Sequence, residues 1–336
     1  MAMACAVGRD RRDHLWLSGL RQHRRGPGRR GRSMSVTDPA GPLLRVTDLV
    51  IEFDTPAGRR RVVDGVSFSV GEGEVLGILG ESGSGKTMST LAVLGLVHGR
   101  PGVVGGQIEL RLGEERHALL DGLPEMLSPG SVAGSVRKDD RRWERHVHRR
   151  MRGIWGRGMT AVFQNPKHSL DPLMTIGRQL EESVRLSEPH LRPDAAGTRA
   201  IDWLAKVKLT DPARVHRSYA HELSGGMCQR AMIAIAIARL PQLLIADEPT
   251  TGLDTTVRAE IVELFRDLMH DRQRAMLYIS HDIREVLYLA DRVMVMRQGR
   301  IVEEASASDL ERGVGRRHPY TATLLQAADL PVGEAA

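Results

Sequence analysis

The sequence predicts an α/β fold built around a parallel sheet. Three short apolar runs, at residues 75–79, 243–246 and 276–279, contain no charged residue. Runs of this kind are typical of strands whose two faces are both buried. Helical patterns precede the second and third runs, and an alternation of helices with buried strands indicates the α/β class.

The amino-terminal segment, residues 1–42, is predicted to be a disordered basic leader. Its first 33 residues hold nine Arg against Asp10 and Asp13, a balance of +7, whereas the whole chain carries +6, so the chain from Met34 onward has a net charge of −1. A transit peptide, an RNA- or lipid-binding tail, and an upstream extension with Met34 as an alternative start are the interpretations left open. Because the excess of positive over negative charge is confined to this segment, the pI near 9.7 does not indicate a nucleic-acid partner.

Cysteine usage and hydropathy argue against a zinc or iron–sulfur protein and against a membrane-spanning one. Cys5 and Cys228 are far apart, and neither belongs to a CxxC or Cys/His cluster, so the sequence predicts no zinc or iron–sulfur site. The longest apolar run, residues 231–240, is about half the roughly 20 residues that a membrane helix needs. Any membrane role is therefore expected to be peripheral.

The elements around the buried strands follow from local patterns. Residues 44–53 and 62–70 are predicted strands, and a Gly-rich turn separates the second from the buried run that follows. An insert at about 113–138 precedes a basic stretch, residues 137–152, predicted to be a solvated loop and helix face, with a docking surface as the alternative. Residues 175–222 show helical apolar spacing, which predicts a helical subdomain inserted between sheet strands.

A glycine-rich motif follows the first buried strand and predicts a phosphate site. Residues 80–87, here called the phosphate loop, match G-x-x-x-x-G-K-[ST] and precede a predicted helix at 88–96. Backbone N–H groups and the helix amino terminus bind phosphate oxygens, the lysine amine reaches the terminal phosphates, and the threonine hydroxyl can ligate Mg²⁺. The nucleotide-binding residues are Gly80, Glu81, Ser82, Gly83, Ser84, Gly85, Lys86 and Thr87.

Two carboxylates follow the second buried strand. Asp247 and Glu248 stand at its carboxyl end, the edge of a parallel sheet where ligands bind. One carboxylate can hold Mg²⁺ while the next activates the water that attacks the γ-phosphate. By itself such a pair is more often a helix start or a turn, but together with the phosphate loop it indicates a hydrolytic site.

Four ordered motifs resemble one family. The phosphate loop, the segment LSGGMCQR at 223–230 (the signature segment), LLIADEPT at 243–250 and SHD at 280–282 are similar to those of the ATP-binding subunit of ATP-binding cassette (ABC) transporters. The resemblance covers about residues 43–325 and leaves 326–336 as a carboxyl-terminal tail. It implies a P-loop NTPase (RecA-like) core with an antiparallel β subdomain and an inserted α-helical subdomain.

The resemblance also implies roles for residues outside the phosphate loop. It makes Glu248 the catalytic base, His281 the switch histidine and Gln164 the sensor of Mg²⁺ and the γ-phosphate, and it implies that ATP is sandwiched between two subunits. Phe53 falls where an aromatic ring stacks on adenine, although a core-facing strand residue is an equal alternative. The implied contacts to the opposing subunit's ATP are Ser224, Gly225 and Gly226, with Asp254 in the loop that crosses the interface, and the implied metal ligands are Thr87, Gln164 and Asp247.

Further segments resemble the oligopeptide, dipeptide and nickel import branch of that family. These are residues 164–172, Arg152-Gly153, Met227 and the segment 318–321, His-Pro-Tyr-Thr. The branch implies two transmembrane permease subunits, a second related ATPase subunit, an extracytoplasmic substrate-binding protein and a place at the cytoplasmic face of the membrane. Peptide is the expected cargo, with nickel or a metal chelate as the alternative. Ala220 stands where Pro is usual, and the insert is longer than usual.

Two other functional classes are weighed against import. Soluble ABC ATPases act on nucleic acid or ribosomes, but they carry two cassettes, long coiled coils or zinc modules, and this sequence has one cassette and none of those additions. A non-hydrolytic gating subunit is disfavoured because Lys86, Asp247, Glu248 and His281 are all present.

Overall fold

The structure, a computed structural model, describes residues 41–130, 136–270 and 274–333. The predicted leader therefore lies outside the described residues, except for its last two. The strands are β1 (Leu44–Thr55), β2 (Gly58–Val70), β3 (Val75–Leu79), β4 (Pro101–Leu112), β5 (Glu115–Ala118), β6 (Leu127–Pro129), β7 (Val136–Lys138), β8 (Met159–Val162), β9 (Leu243–Asp247), β10 (Ala275–Ile279), β11 (Arg292–Arg297) and β12 (Arg300–Ser306). The helices are α1 (Lys86–Val93), α2 (Asp140–Met151), α3 (Pro166–Ser169), α4 (Ile176–Ser187), α5 (Pro193–Lys206), α6 (Pro212–Arg217), α7 (Gly225–Ile237), α8 (Thr255–Leu268), α9 (Ile283–Leu289), α10 (Ala307–Arg312) and α11 (Pro319–Ala327), with 3₁₀ turns at Pro124–Met126 and Ala220–Glu222.

The central sheet has six strands in the order β12-β11-β3-β10-β9-β8. All neighbours are parallel except β11 and β12, which are antiparallel. The three strands predicted from apolar runs are confirmed as β3, β9 and β10. Successive residues of β9 enter different cores, Leu243 and Ile245 on one face and Leu244 and Ala246 on the other, which explains why the run has no polar position.

A second, antiparallel sheet of four strands has the order β2-β1-β4-β5. Both predicted strands are too short at the hairpin, since β1 continues to Thr55 and β2 already begins at Gly58. The added residues are polar, and ion pairs hold them across the hairpin, including Arg59 Nε to Asp54 Oδ1 at 3.2 Å. Hydrophobic patterning identifies only the part of a hairpin that faces a core.

The segment predicted to be a helical subdomain is helical in the structure. Helices α4, α5 and α6 and the turn Ala220–Glu222 occupy it, and they share a core with α7. Helix α4 buries Leu180 and Val184, and α5 buries Leu204, each on the face that the apolar spacing indicates. The predicted helix at 88–96 starts two residues earlier, as α1, because it begins directly after the glycine at position 85.

The basic stretch after the insert forms helix α2. Its apolar stripe, Trp143, Val147 and Met151, is buried, while Arg142 and Arg145 are exposed. A solvated basic face accounts for this arrangement, and the docking alternative stays a prediction.

The described chain continues to residue 333, beyond the predicted end of the ATP-binding domain. Helix α11 continues to Ala327, and Leu330 and Val332 pack against the core, so the described part of the expected tail is attached to the domain. Across the ranges that the structure describes, none of the helices has the length and apolarity required to cross a bilayer.

Candidate active site

The phosphate loop joins β3 to α1 and lies against the β11–β12 hairpin. A Cβ atom at Gly80 would lie 2.3 Å from the Met296 carbonyl oxygen, and one at Gly85 would lie 2.9 Å from the Val62 carbonyl oxygen. Both positions have positive φ, so only glycine lets the loop take this path. Gly85 is the N-cap of α1 without a side-chain cap, which leaves the first N–H groups of the helix available to an anion.

Lys86 is the first residue of helix α1, and its amine folds back over the phosphate loop. The Nζ atom donates to the carbonyl oxygens of Gly80 at 2.7 Å and Glu81 at 2.9 Å. The residue is only 4% exposed. Burial lowers the pKa of the Lys86 amine, against the opposing effect of the carboxylates of Glu248 and Asp247. A cation is thus held at the loop with few water contacts, where its attraction to a phosphate is strong.

Thr87 and Asp247 meet although 160 residues separate them in the chain. The Thr87 hydroxyl donates to Asp247 Oδ1 at 3.2 Å. Asp247 is 6% exposed. Burial, together with the neighbouring Glu248 carboxylate, raises the pKa of Asp247 to about 6, while the Thr87 bond and Lys86 oppose the increase. A hydroxyl and a carboxylate at this spacing provide two oxygen ligands for a divalent cation.

Glu248 lies in a strained turn just beyond β9. Its φ of 46° is in the left-handed region, which is unfavourable for a non-glycine residue and is concentrated at functional sites. Its N–H donates to the Ile279 carbonyl oxygen at 2.9 Å, and the Thr251 hydroxyl donates to Oε2 at 3.0 Å. His281 Nδ1 lies 3.5 Å from the same Oε2 atom. The carboxylate is therefore oriented by two side chains.

Gln164 and Phe53 are two further residues with predicted roles in nucleotide binding. The register pairs Val162 with Ala246, so Gln164 follows β8 at the same carboxyl edge that carries Asp247, and its side chain is exposed. Phe53 is half-buried near the end of β1 and packs against the core, with Gly99 next to its ring. This packing fits the core-facing alternative, and adenine stacking stays a prediction for this residue.

A buried carboxylate network behind the site was not predicted from the sequence. Glu285 is fully buried, and its Oε2 atom accepts hydrogen bonds from Thr250 at 2.9 Å, Tyr278 at 2.9 Å and Ser280 at 3.1 Å. Burial raises the pKa of Glu285. The network ties the turn after Glu248 to the segment before His281. Its donors are common polar residues in separate segments, so no local pattern marks them.

The residues present fit ATP and Mg²⁺. The uncapped amino terminus of α1 and the Lys86 amine suit phosphate oxygens, and the buried Ser84 hydroxyl oxygen has no hydrogen-bond partner among the described residues. The Thr87 hydroxyl and the Asp247 carboxylate suit the hard, oxygen-binding cation that accompanies a nucleotide.

A sequence model of the ABC transporter family matches residues 63–251. The chain belongs to the ABC transporter family. The match contains the phosphate loop, the signature segment and the strand that carries Asp247, so the resemblance identified from the motifs is confirmed.

Relatives of this ABC protein carry names that refer to peptide transport. A peptide import ATP-binding protein named in Brucella abortus is 40% identical over 88% of this chain and 79% of its own length. The dipeptide transport ATP-binding protein DppD of Escherichia coli is 37% identical over 85% of this chain and 78% of its own length. The oligopeptide transport ATP-binding protein OppD of Mycobacterium tuberculosis is 39% identical over 84% of this chain, which spans 41% of that longer protein.

Solved structures of ABC proteins have the same fold. The ATP-binding cassette MJ0796, in a dimeric post-hydrolysis state with ADP and phosphate, gives a TM-score of 0.61 at 21% identity, covering 79% of this chain and 98% of that one. The cbiO1 protein of Clostridium perfringens, part of the transporter complex cbiONQ, gives 0.57 at 20% identity, covering 80% and 90%. The predicted fold class is confirmed.

Two predicted groups of this ABC protein lie apart from the phosphate loop. Ser224 is the N-cap of α7, and its hydroxyl accepts from the Met227 N–H at 3.3 Å; Asp254 caps α8 by accepting from the Val257 N–H at 3.0 Å. Both are exposed, as is Gly225, and Gly226 is half-buried against Val257. In the part of the chain that the structure describes, no hydrogen bond or ion pair links Ser224 or Asp254 to the phosphate loop, Asp247 or Glu248.

Proposed function

We propose that this protein is the ATP-hydrolysing subunit that energises an importer of oligopeptides or dipeptides. It acts at the cytoplasmic face of the membrane with two permease subunits, a second related ATPase subunit and an extracytoplasmic substrate-binding protein. The observation that carries the proposal is the convergence of the Lys86 amine, the Thr87–Asp247 pair and the Glu248–His281 pair at one edge of the sheet.

Each pair has a distinct part in hydrolysis. The phosphate loop and Lys86 bind the phosphates of ATP, and the bond that breaks joins the β- and γ-phosphates, so ADP is the leaving group. Thr87 and Asp247, with Gln164, would hold Mg²⁺, which would neutralise charge on the phosphates. Glu248 accepts a proton from the attacking water. Its Oε2 atom is oriented by Thr251 and His281. Because 57% of the His281 side chain is exposed, the imidazole can also contact the γ-phosphate.

The exposed signature segment supports a composite site made by two subunits. Ser224 and Gly225 face solvent at the amino terminus of α7, a helix of 13 residues, where backbone N–H groups favour an anion. Asp254, also exposed, occupies the loop before α8. A second ATPase subunit would bring its own phosphate loop and ATP to these residues. Binding of ATP then closes the pair of subunits, and hydrolysis reopens it.

The cargo class rests on the relatives. Their names refer to peptides, dipeptides and oligopeptides, and they match this chain over more than four-fifths of its length. The transport assay must distinguish peptide from the alternative cargo, nickel or a metal chelate.

The experiment is ATP-driven uptake by the assembled transporter in proteoliposomes. The full chain is co-expressed with its permeases, partner ATPase and binding protein, and uptake of labelled di- and oligopeptides is compared with uptake of Ni²⁺ and its histidine chelate. Lys86→Ala should abolish uptake and hydrolysis. The control is Lys208→Ala, which removes an exposed lysine paired with Asp267 at 3.1 Å and should leave both rates unchanged.

Three results would contradict the proposal in different ways. Uptake of nickel without peptide would reject the cargo class. Full uptake by Lys86→Ala would reject the site. Stimulation of hydrolysis by RNA or DNA, with salt-sensitive binding and no association with the permeases, would replace transport by a nucleic-acid function.

A further inference from the structure

Helix α11 contacts the phosphate loop through Tyr320, 239 residues further along the chain. The Glu81 N–H, at the second position of the loop, donates to the Tyr320 hydroxyl oxygen at 2.9 Å. Tyr320 is 6% exposed. The Tyr320 hydroxyl uses the N–H of Glu81, whereas the Lys86 amine uses its carbonyl oxygen, so the two contacts hold the same residue through different atoms.

The residues around Tyr320 fix its position. His318 is the N-cap of α11, and its Nδ1 atom accepts from the Tyr320 N–H at 3.1 Å, while Pro319 occupies the first helical position, where its missing N–H has no consequence. The His318 N–H donates to Glu303 Oε2 on β12 at 2.8 Å. Buried Arg317 forms an ion pair with the same carboxylate at 3.3 Å. The His-Pro-Tyr sequence therefore attaches the start of α11 to the sheet.

The tyrosine ring is held from the other side by the β11–β12 hairpin. The Arg297 guanidinium lies over the ring at 5.0 Å from its centre. Two residues further on, the Gly299 N–H donates to the Ser84 carbonyl oxygen in the phosphate loop at 2.9 Å. Burial, with the Glu81 carboxylate contributing, raises the pKa of Tyr320, so the phenol stays protonated.

We propose that Tyr320 is a positioning residue for nucleotide binding, whose hydroxyl holds the phosphate loop at Glu81 in the conformation that receives phosphate. This inference rests on the proposed ATP function and extends it to a residue that does not touch the nucleotide. Glycines at 80, 83 and 85 make the loop flexible, so the entropy lost when it is ordered would otherwise oppose nucleotide binding. The Tyr320 bond orders one end of the loop in advance. It therefore acts equally on ATP and ADP and on the ground and transition states.

The test compares Tyr320→Phe with Tyr288→Phe. The first removes the hydroxyl and keeps the ring beneath Arg297. The second removes a hydroxyl that donates to Glu263 at 2.6 Å, away from the phosphate loop. It controls for the general effect of removing a tyrosine hydroxyl. The loss of one hydrogen bond changes an equilibrium constant by about three- to tenfold.

The first measurement is hydrogen exchange of the peptide that contains Glu81 in the nucleotide-free full chain. Tyr320→Phe should accelerate exchange of this peptide about three- to tenfold, and Tyr288→Phe should not. This result does not require that the protein binds ATP. Unchanged exchange in Tyr320→Phe would overturn the contact itself, whatever the outcome for the proposed function.

The second measurement is nucleotide affinity and turnover. Tyr320→Phe should weaken binding of ATP and of ADP by the same three- to tenfold factor and should raise the KM for ATP in the assembled transporter with kcat unchanged. Faster exchange with wild-type nucleotide affinity would overturn the positioning role, as would a fall in kcat and thermal stability with no change in KM. Failure of the wild-type chain to bind ATP would instead reject the proposed function, and the exchange result would still decide the contact.

Discussion

Replacing Asp247 by Asn should stabilise the nucleotide-free, metal-free protein while abolishing hydrolysis. Asp247 is 6% exposed, and its carboxylate has the Thr87 hydroxyl as a hydrogen-bond donor. Burial raises its pKa to about 6, against 3.8 for an ordinary aspartate. The folded protein thus binds this proton more tightly than the unfolded chain does. Its free energy of unfolding falls as pH rises between these two values and stays reduced above pH 6.

The size of the effect follows from the shift. Two pH units correspond to about 3 kcal/mol of ionisation penalty at neutral pH. Asn keeps an oxygen that can accept from Thr87, but it adds two N–H donors at a buried position, so the expected gain is about 1 to 3 kcal/mol. At pH 5 the penalty relieved by the substitution should be about half as large, because the wild-type carboxyl is then mostly protonated.

The assay is thermal and urea unfolding of the full chain in EDTA at pH 7.5 and pH 5. A gain of 1 to 3 kcal/mol corresponds to a melting temperature higher by roughly 2 to 8 °C. The control is Asp267→Asn, which neutralises a 53% exposed carboxylate and should change stability by less than about 0.5 kcal/mol. Equal or lower stability of Asp247→Asn at pH 7.5, or a gain that does not depend on pH, would refute the reasoning.

Substitutions at three further positions test the base, the adenine contact and the core. Glu248→Gln should lower ATP turnover by about 10² to 10⁴ with ATP binding retained, measured by phosphate release from the assembled transporter, and an unchanged rate would reject Glu248 as the base. Phe53→Leu should raise the KM for ATP several-fold without changing the melting temperature if the ring stacks on adenine; a lower melting temperature at constant KM would identify a core residue. Phe265→Ala removes a fully buried ring that packs edge-on against Tyr278 and should destabilise the protein by about 3 to 5 kcal/mol in urea unfolding, whereas Phe265→Leu should lose less than about 2 kcal/mol.

Local patterns predicted three of the buried strands, whose signal is contained in consecutive residues. Strands β3, β9 and β10 are uninterrupted apolar runs because both of their faces are covered. Strands β4 and β8 were missed. Residues 101–112 contain four glycines or prolines among their first six positions, and β8 has only four residues, so neither shows a clear period.

The sequence by itself determined the family, the phosphate loop and the acidic pair, since these motifs require particular residue types at fixed spacing. Only the tertiary structure decided which groups meet: Thr87 with Asp247, His281 with Glu248, the three donors around Glu285, and Tyr320 with Glu81. Most of these contacts join segments that are far apart in the chain. They form because parallel strands bring their carboxyl ends to one edge and because α11 places Tyr320 against the phosphate loop. A hydrogen bond of this kind depends on the packing of whole elements, and no spacing of residues along the chain encodes it.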